Sequence, residues 1–162
     1  MTARLFVAAL AVALAAPALA QPRAALDLQV PADALMVPDS TGGFTFALPL
    51  ARMYSADGRL LWEETGYDPA RFRYLVAGSA VAPTPADSLD RGRTLADLTA
   101  ADGHPADAAL LDPTLPSVVV YWASWCPPCF RMKADVEALP PAIRFNYVRA
   151  EVTGVTMGPP SE

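Results

Sequence analysis

The feature that most constrains this chain is a pair of cysteines three positions apart, set between segments of different periodicity. Cys126 and Cys129 follow the β-branched and aromatic run 118–122, which predicts a buried strand. Residues 130–139 carry apolar side chains at helical spacing, and a pair of prolines ends that pattern. A disulfide between the two cysteines would close so short a loop that it removes little entropy from the unfolded chain. The spacing therefore favours reversible redox chemistry over a structural staple.

The turn from strand to helix predicts different roles for the two cysteines. Unpaired backbone N–H groups and the helix dipole favour negative charge at a helix start, so Cys126 is predicted to be the exposed thiolate nucleophile. Cys129 falls in the first helical turn and is predicted to be more buried and to resolve the mixed disulfide. Pro127 and Pro128 are compatible with a first turn and stiffen the loop between the cysteines.

Other uses of the cysteine pair stay open at this point. It could be an inert local disulfide, or it could bind Cu(I) together with some of the five methionines, although these form no close cluster in the sequence. A zinc site needs about four ligands. The chain has two cysteines and one histidine, so no zinc site is predicted unless subunits share it. His104 lies in a Gly-His-Pro loop and is given no role.

The first 20 residues have the pattern of a secretory leader. Arg4 provides a short positive region, an apolar run follows at 5–14, and Ala18-Leu19-Ala20 has the small residues of a cleavage site. This predicts a periplasmic or secreted protein after cleavage near Ala20, in an oxidising compartment. An uncleaved N-terminal anchor is the alternative. The net charge of −5 argues against a nucleic-acid-binding surface.

The rest of the chain predicts an arm followed by one α/β domain. Apolar residues alternate from position 44 to 50, and Asp57-Gly58 is a hairpin signal, so strands at 44–55 and 59–65 should pair. Pro49 lies inside the first run, which indicates an edge, a bulge or a functional turn. The predicted division is an extended arm at 21–43 and a domain at 44–162, the latter comprising a hairpin and helix at 44–78, a linker at 79–93, a C-x-x-C-bearing βαβ unit at 94–152 and a tail at 153–162.

Residues 121–129, with the sequence YWASWCPPC, resemble the thioredoxin superfamily, and the closer similarity is to periplasmic TlpA/ResA-like thiol–disulfide oxidoreductases. The resemblance covers roughly residues 94–152. It implies a thioredoxin-like fold, no bound cofactor, Trp125 packed beside the nucleophile, and disulfide exchange with protein disulfides or thiols. It favours a reductant, whose electrons would come from a membrane protein in another chain. A non-enzymatic redox-sensitive or copper-binding module is the alternative function, and a structural domain with a vestigial motif is a third.

The chain departs from the family pattern in three ways. Val120 stands where the family has a buried proton-handling carboxylate or a polar substitute, and Ala134 stands where its helix has a kinking proline. The chain ends 33 residues after Cys129, which is too few for the family's closing hairpin and last helix.

Residues 46–76 suggest how the third departure is resolved. They run as an apolar strand with a proline, an Asp-Gly turn, a second strand, a glycine and a helix, which is the order of the family's closing segment. We therefore hypothesise a permuted thioredoxin-like domain in which Pro49 takes the substrate-binding cis-proline place opposite Cys126. The alternatives are an ordinary hairpin with a trans Pro49 at a sheet edge, and a degenerate remnant without activity.

Overall fold

The apolar run that precedes the cysteines forms the central strand of a five-stranded sheet. A computed structural model describes residues 25–72 and 91–155; the leader, the end of the helix predicted to Gly78, most of the linker and the last seven residues lie outside this range. The described strands are β1 Ala25–Pro31, β2 Met36–Pro38, β3 Phe44–Phe46, β4 Leu50–Tyr54, β5 Leu60–Thr65, β6 Ser117–Trp122 and β7 Asn146–Thr153. Besides a helical start at residues 69–72, the helices are α1 Arg91–Ala96 and α2 Pro127–Glu137, with 3-10 turns at Ala32–Leu35 and Ala108–Leu110.

The main sheet is mixed, in the order β1-β7-β6-β4-β5. β1, β7 and β6 are parallel to one another, whereas β4 is antiparallel to both β6 and β5. This confirms the predicted α/β class, the parallel β6-α2-β7 unit and the hairpin that turns at Asp57-Gly58. Gly58 has a φ of +90°, which a residue with a side chain rarely adopts, and Ser55 N–H donates to the Arg59 carbonyl at 2.9 Å to close the turn.

The single strand predicted at 44–55 is wrong, because the chain leaves one sheet and enters another near Pro49. β3 pairs with β2 in a separate two-stranded sheet, and β4 starts one residue after Pro49. Proline has no N–H and cannot continue a ladder, so the break falls there. β4 itself lies between β5 and β6, inside the sheet and not at its edge.

The arm predicted at 21–43 is also wrong for most of its length. Residues 25–31 form the edge strand β1, where Leu28 and Val30 are 3% and 1% exposed. The sequence signal is a short alternation of Leu26, Leu28 and Val30 with polar residues, close to flanking prolines that obscure it. On the outer face of β1, Asp27 accepts two hydrogen bonds of 2.6 Å from Arg149 of β7.

Two apolar cores cover the two faces of the sheet, because successive residues of β6 point to opposite sides. Val118 and Val120 pack with Met132 and Val136 of α2 in one core. The other core contains Val119 and Tyr121, Leu95 and Leu98 from the segment around α1, and both cysteines. The linker predicted at 79–93 therefore extends too far, because residues 91–93 belong to α1. α1 begins at Arg91, whose guanidinium donates to the Ser117 hydroxyl and the Ala56 carbonyl, each at 3.2 Å.

The helix predicted after the hairpin begins as expected. Residues 69–72 are helical, and the Asp68 carboxylate accepts from Ala70 N–H at 2.9 Å, so Asp68 is the N-cap. Phe72 is fully buried against Trp62 with the rings edge to face.

Candidate functional site

The cysteine pair lies where the central strand gives way to α2. β6 ends at Trp122, and a tight turn follows in which Cys126 N–H donates to the Ala123 carbonyl at 3.0 Å. Cys126 is the N-cap of α2, Pro127 and Pro128 occupy the first two helical positions, and Cys129 is third. Cys126 and Cys129 form a disulfide with their Cα atoms 5.3 Å apart.

Both cysteines are buried in this disulfide state. Cys129 is fully buried, as predicted, but Cys126 is only 6% exposed, so the prediction of an exposed nucleophile is wrong for the oxidised form. Trp125 and Leu48 pack against the core that contains the two cysteines, and the Phe46 ring lies 5.3 Å from that of Trp125. The cover thus comes partly from residues far away in sequence, which a local pattern does not reveal.

The start of α2 offers fewer hydrogen-bond donors than its position suggests. Pro127 and Pro128 have no N–H groups. Cys126 N–H donates to Ala123, and Cys129 N–H donates to the Cys126 carbonyl at 3.0 Å. The prediction of unpaired N–H groups facing the Cys126 sulfur is therefore wrong, since the four N–H positions of the helix start are either absent or occupied. Only the aligned peptide dipoles of α2 remain to stabilise a thiolate there.

Pro49 lies at the same end of the sheet as the disulfide. The Leu48–Pro49 peptide bond is cis, and Pro49 is buried. Leu50 pairs with Tyr121, so Pro49 lies beside the last residue of β6, at the point where the cysteine turn begins. The alternative of a trans Pro49 at a sheet edge is therefore wrong, because the peptide bond is cis and because β4, which follows Pro49, lies inside the sheet.

The core that contains the disulfide also includes a polar group that the sequence did not predict. Tyr121 shares the core with both cysteines, and its hydroxyl accepts from Arg52 Nη1 at 3.2 Å. Arg52 also donates from Nε to Glu63 at 2.6 Å. Burial raises the pKa of Tyr121, so its phenol is neutral at ordinary pH. The signal that could have found this group is an arginine on the inward-facing alternation of β4.

Val120 belongs to the other face of the sheet. It is fully buried among the residues beneath α2 and not in the core with the cysteines. Trp122, two residues further on, packs instead against the core that contains the cysteines; its ring contacts Phe130 edge to face, and Lys133 Nζ lies 3.3 Å from the Trp122 ring centroid. Burial is the main cause that lowers the pKa of Lys133, with the nearby Arg149 cation as a second cause.

The remaining candidates of the sequence lie apart from the disulfide. His104 is exposed in its loop, where its backbone N–H donates to Asp102. Met53 of β4 and Met132 of α2 are buried in the core on the face opposite the cysteines. Within residues 25–72 and 91–155, no three His, Cys, Asp or Glu side chains are grouped as metal ligands, and no helix reaches the length and apolarity of a membrane span.

Comparison with known protein families, with curated proteins and with solved structures finds no match to this chain. The fold and the site themselves define a mixed α/β protein whose C-x-x-C disulfide lies at a helix start, at the carboxyl end of the central strand.

Proposed function

We propose that this protein is a thiol–disulfide oxidoreductase of thioredoxin-like, permuted architecture, exported to the periplasm or the cell exterior, and that it acts as a reductant on protein disulfides. The observation that carries the proposal is the Cys126–Cys129 disulfide at the start of α2, at the same end of the sheet as Pro49. The permutation hypothesis requires the hairpin that turns at Asp57-Gly58 to pair antiparallel with the strand before the cysteines, on the side away from β7. The pairing of β4 with β6 is of that kind.

The proposed reaction gives the two cysteines different roles, with Cys126 as the attacking residue and Cys129 as the resolving one. In the reduced protein, the Cys126 thiolate attacks one sulfur of a substrate disulfide and releases the other as a thiolate. Cys129, which is fully buried, then attacks the Cys126 sulfur, releases the second substrate thiol and forms the Cys126–Cys129 disulfide. Two electrons pass from the protein to the substrate. A dithiol donor must return them, and we assign that part to a membrane protein in another chain.

The occupied helix start supports the reducing direction. A strongly stabilised thiolate favours the dithiol form and makes an oxidant, whereas a thiolate without hydrogen bonds favours the disulfide. Because Pro128 removes an N–H that could reach the Cys126 sulfur, the reduction potential should lie nearer to about −270 mV than to about −120 mV, the values of a reducing and an oxidising thiol–disulfide enzyme.

The test is the turnover of insulin disulfides with dithiothreitol as donor, comparing the wild-type protein with Cys126→Ser and Cys129→Ser. We expect the first variant to lose turnover and the second to accumulate a mixed disulfide through Cys126, visible by intact mass spectrometry. Equal rates for wild-type protein and Cys126→Ser would refute the proposal. Stoichiometric Cu(I) uptake without turnover would favour the copper-binding alternative.

A further inference from the structure

The connection from β1 to β4 crosses the end of the sheet that holds the disulfide. β1, β7 and β6 are parallel, so Pro31 at the end of β1 lies at the same end as Trp122. β4 begins there too, since Leu50 pairs with Tyr121. Residues 32–49 must therefore pass over this end from the outermost strand to the fourth, and the β2–β3 hairpin is built within them.

One face of this hairpin is apolar and continuous with the redox site. Met36 pairs with Phe46, and Pro38 pairs with Phe44, so these four side chains share a face, which we call the hairpin face. Phe46 contacts Trp125, beside the disulfide. Phe44 and Met36 are 64% and 40% exposed, and none of the four carries a charge. An uncharged, aromatic surface therefore leads outward from Trp125.

The same hairpin has one open backbone edge. Asp39 N–H donates to Gly43, and Ala47 N–H donates to Leu35, which fixes the alternation of the ladder. The N–H and C=O groups of Phe44 and Phe46 consequently point away from β2. Within the described part of the chain they have no backbone partner.

The outer edge of β2 is less able to accept a strand. Pro38 has no N–H, and Met36 N–H already donates to the Asp33 carbonyl. β3 is thus the edge of the hairpin that is equipped to pair with an extended chain.

We propose that β3 and the hairpin face bind an extended apolar segment of the polypeptide substrate, next to the cysteine whose disulfide is exchanged. This inference rests on the proposed function and names its substrate preference. Phe44 lies two residues beyond Phe46, which is about 7 Å along a strand. Phe44 would therefore contact a substrate side chain about two residues further from the reacting cysteine than the one that Phe46 contacts. The hairpin face offers no cation for the carboxylates of a small anionic thiol, and the Asp39 carboxylate is held in the adjoining turn by Thr41 and Gly43.

The experiment compares two symmetric peptide disulfides that differ only in the residues before the cysteine. One has a four-residue arm of alternating Leu and Val, and the other has four glycines. Pre-reduced wild-type protein, Phe44→Ser and Leu110→Ser react with each in a single turnover followed by tryptophan fluorescence. Leu110 is the matched control, since it is 66% exposed and belongs to the 3-10 turn at the opposite end of the sheet.

We expect Phe44→Ser to lower the second-order rate constant for the apolar peptide by roughly tenfold, through loss of buried apolar area, and to change that for the glycine peptide less than twofold. Leu110→Ser should change neither. N-methylation of the apolar arm should reproduce the loss in the wild-type protein, because it removes the donors that pair with β3.

The results that would overturn the inference are distinct from failure of the proposed function. An equal loss on both peptides, or no loss on either, would exclude a docking role for Phe44. A wild-type dimer in sedimentation velocity that Phe44→Ser converts to a monomer would assign the hairpin face to a second copy of the chain. Wild-type protein that reacts with neither peptide would instead refute the oxidoreductase proposal.

Discussion

Replacing Pro128 by alanine should lower the pKa of the Cys126 thiol. Cys126 is the N-cap of α2, and an N-cap side chain accepts hydrogen bonds from the second or third helical N–H. The third, that of Cys129, already donates to the Cys126 carbonyl. The second is missing because Pro128 occupies it. Pro128→Ala therefore restores the one backbone donor that can point at the Cys126 sulfur, without adding a charge.

The size of the effect follows from the charge on the acceptor. A hydrogen bond to an ionised group contributes about 1.5–3 kcal/mol, and we take the lower end because a thiolate is a large, diffuse acceptor. One pKa unit corresponds to about 1.4 kcal/mol, so the Cys126 pKa should fall by about one unit. A more stable thiolate stabilises the reduced protein. The Cys126–Cys129 couple of the variant should therefore be more oxidising by about 30 mV at a pH above the Cys126 pKa of both proteins. At a pH below the Cys126 pKa of both proteins, the Cys126 sulfur is protonated in the wild-type protein and in the variant, and their reduction potentials should coincide.

The measurement is thiolate absorbance in the ultraviolet across a pH titration, together with the potential from dithiothreitol equilibration at two pH values. Pro127→Ala is the control, because it removes a proline of the same turn but restores an N–H that is not aimed at the N-cap side chain. Both variants regain the same backbone freedom in the unfolded chain and should lose a similar ~0.4–1 kcal/mol of stability. Equal pKa shifts in the two variants, or none in either, would refute the reasoning.

Three further predictions concern the fold around the site. Leu28→Ala should lower the free energy of unfolding, measured in urea, by about 2–5 kcal/mol, because Leu28 of β1 is only 3% exposed. A loss under about 0.5 kcal/mol would show that β1 does not contribute to the folded core. Thr94→Val leaves the buried Tyr54 hydroxyl without its partner and should cost about 1–3 kcal/mol. Adding Tyr54→Phe should recover part of that loss, and no recovery would show that the bond is unimportant. Hydrogen bonds from Thr41 and Gly43 hold the pKa of Asp39 below its ordinary value, so its contribution to stability is present above the ordinary Asp pKa and lost as the pH falls through the lowered one. Asp39→Asn should remove that part of the acid dependence of thermal unfolding, and an unchanged acid limb would contradict it.

The strand, the cysteine turn and the helix were predictable because their signals are local. The run 118–122 is apolar at every position, and two prolines followed by helical spacing define the start of α2. β1 was missed because its alternation covers only three apolar residues between prolines. Pro49 indicated an irregularity in the strand predicted at 44–55, but not the change of sheet that occurs there. Residues 44–46 pair with β2, and the sequence around β2 has no strong strand pattern that would have predicted this pairing.

The burial of Cys126 and the polar groups near it could not be read from the sequence, because they depend on contacts between distant segments. Phe46 packs against Trp125. The Tyr121 hydroxyl accepts a hydrogen bond from Arg52 of the neighbouring strand, 69 residues earlier in the sequence. Periodicity reports which side of a strand is buried, but it does not report which element covers it.

The placement of the hairpin face is a consequence of strand order. β1 is the outermost strand of the parallel half, and its partner β7 comes more than a hundred residues later, as the Asp27–Arg149 pair illustrates with a separation of 122. The next strand in the chain to join this sheet after β1 is β4, on the far side of β7 and β6. The chain must therefore cross the cysteine end, and it crosses there with β1 fixed at one end of the connection and β4 at the other. Residues 32–49 are held at this end by these two anchors and by their own contacts, since Leu35 is buried in the cysteine core and Phe46 packs against Trp125. We therefore expect loss of β1 to loosen the cover of Cys126, even though none of its side chains belongs to the C-x-x-C turn.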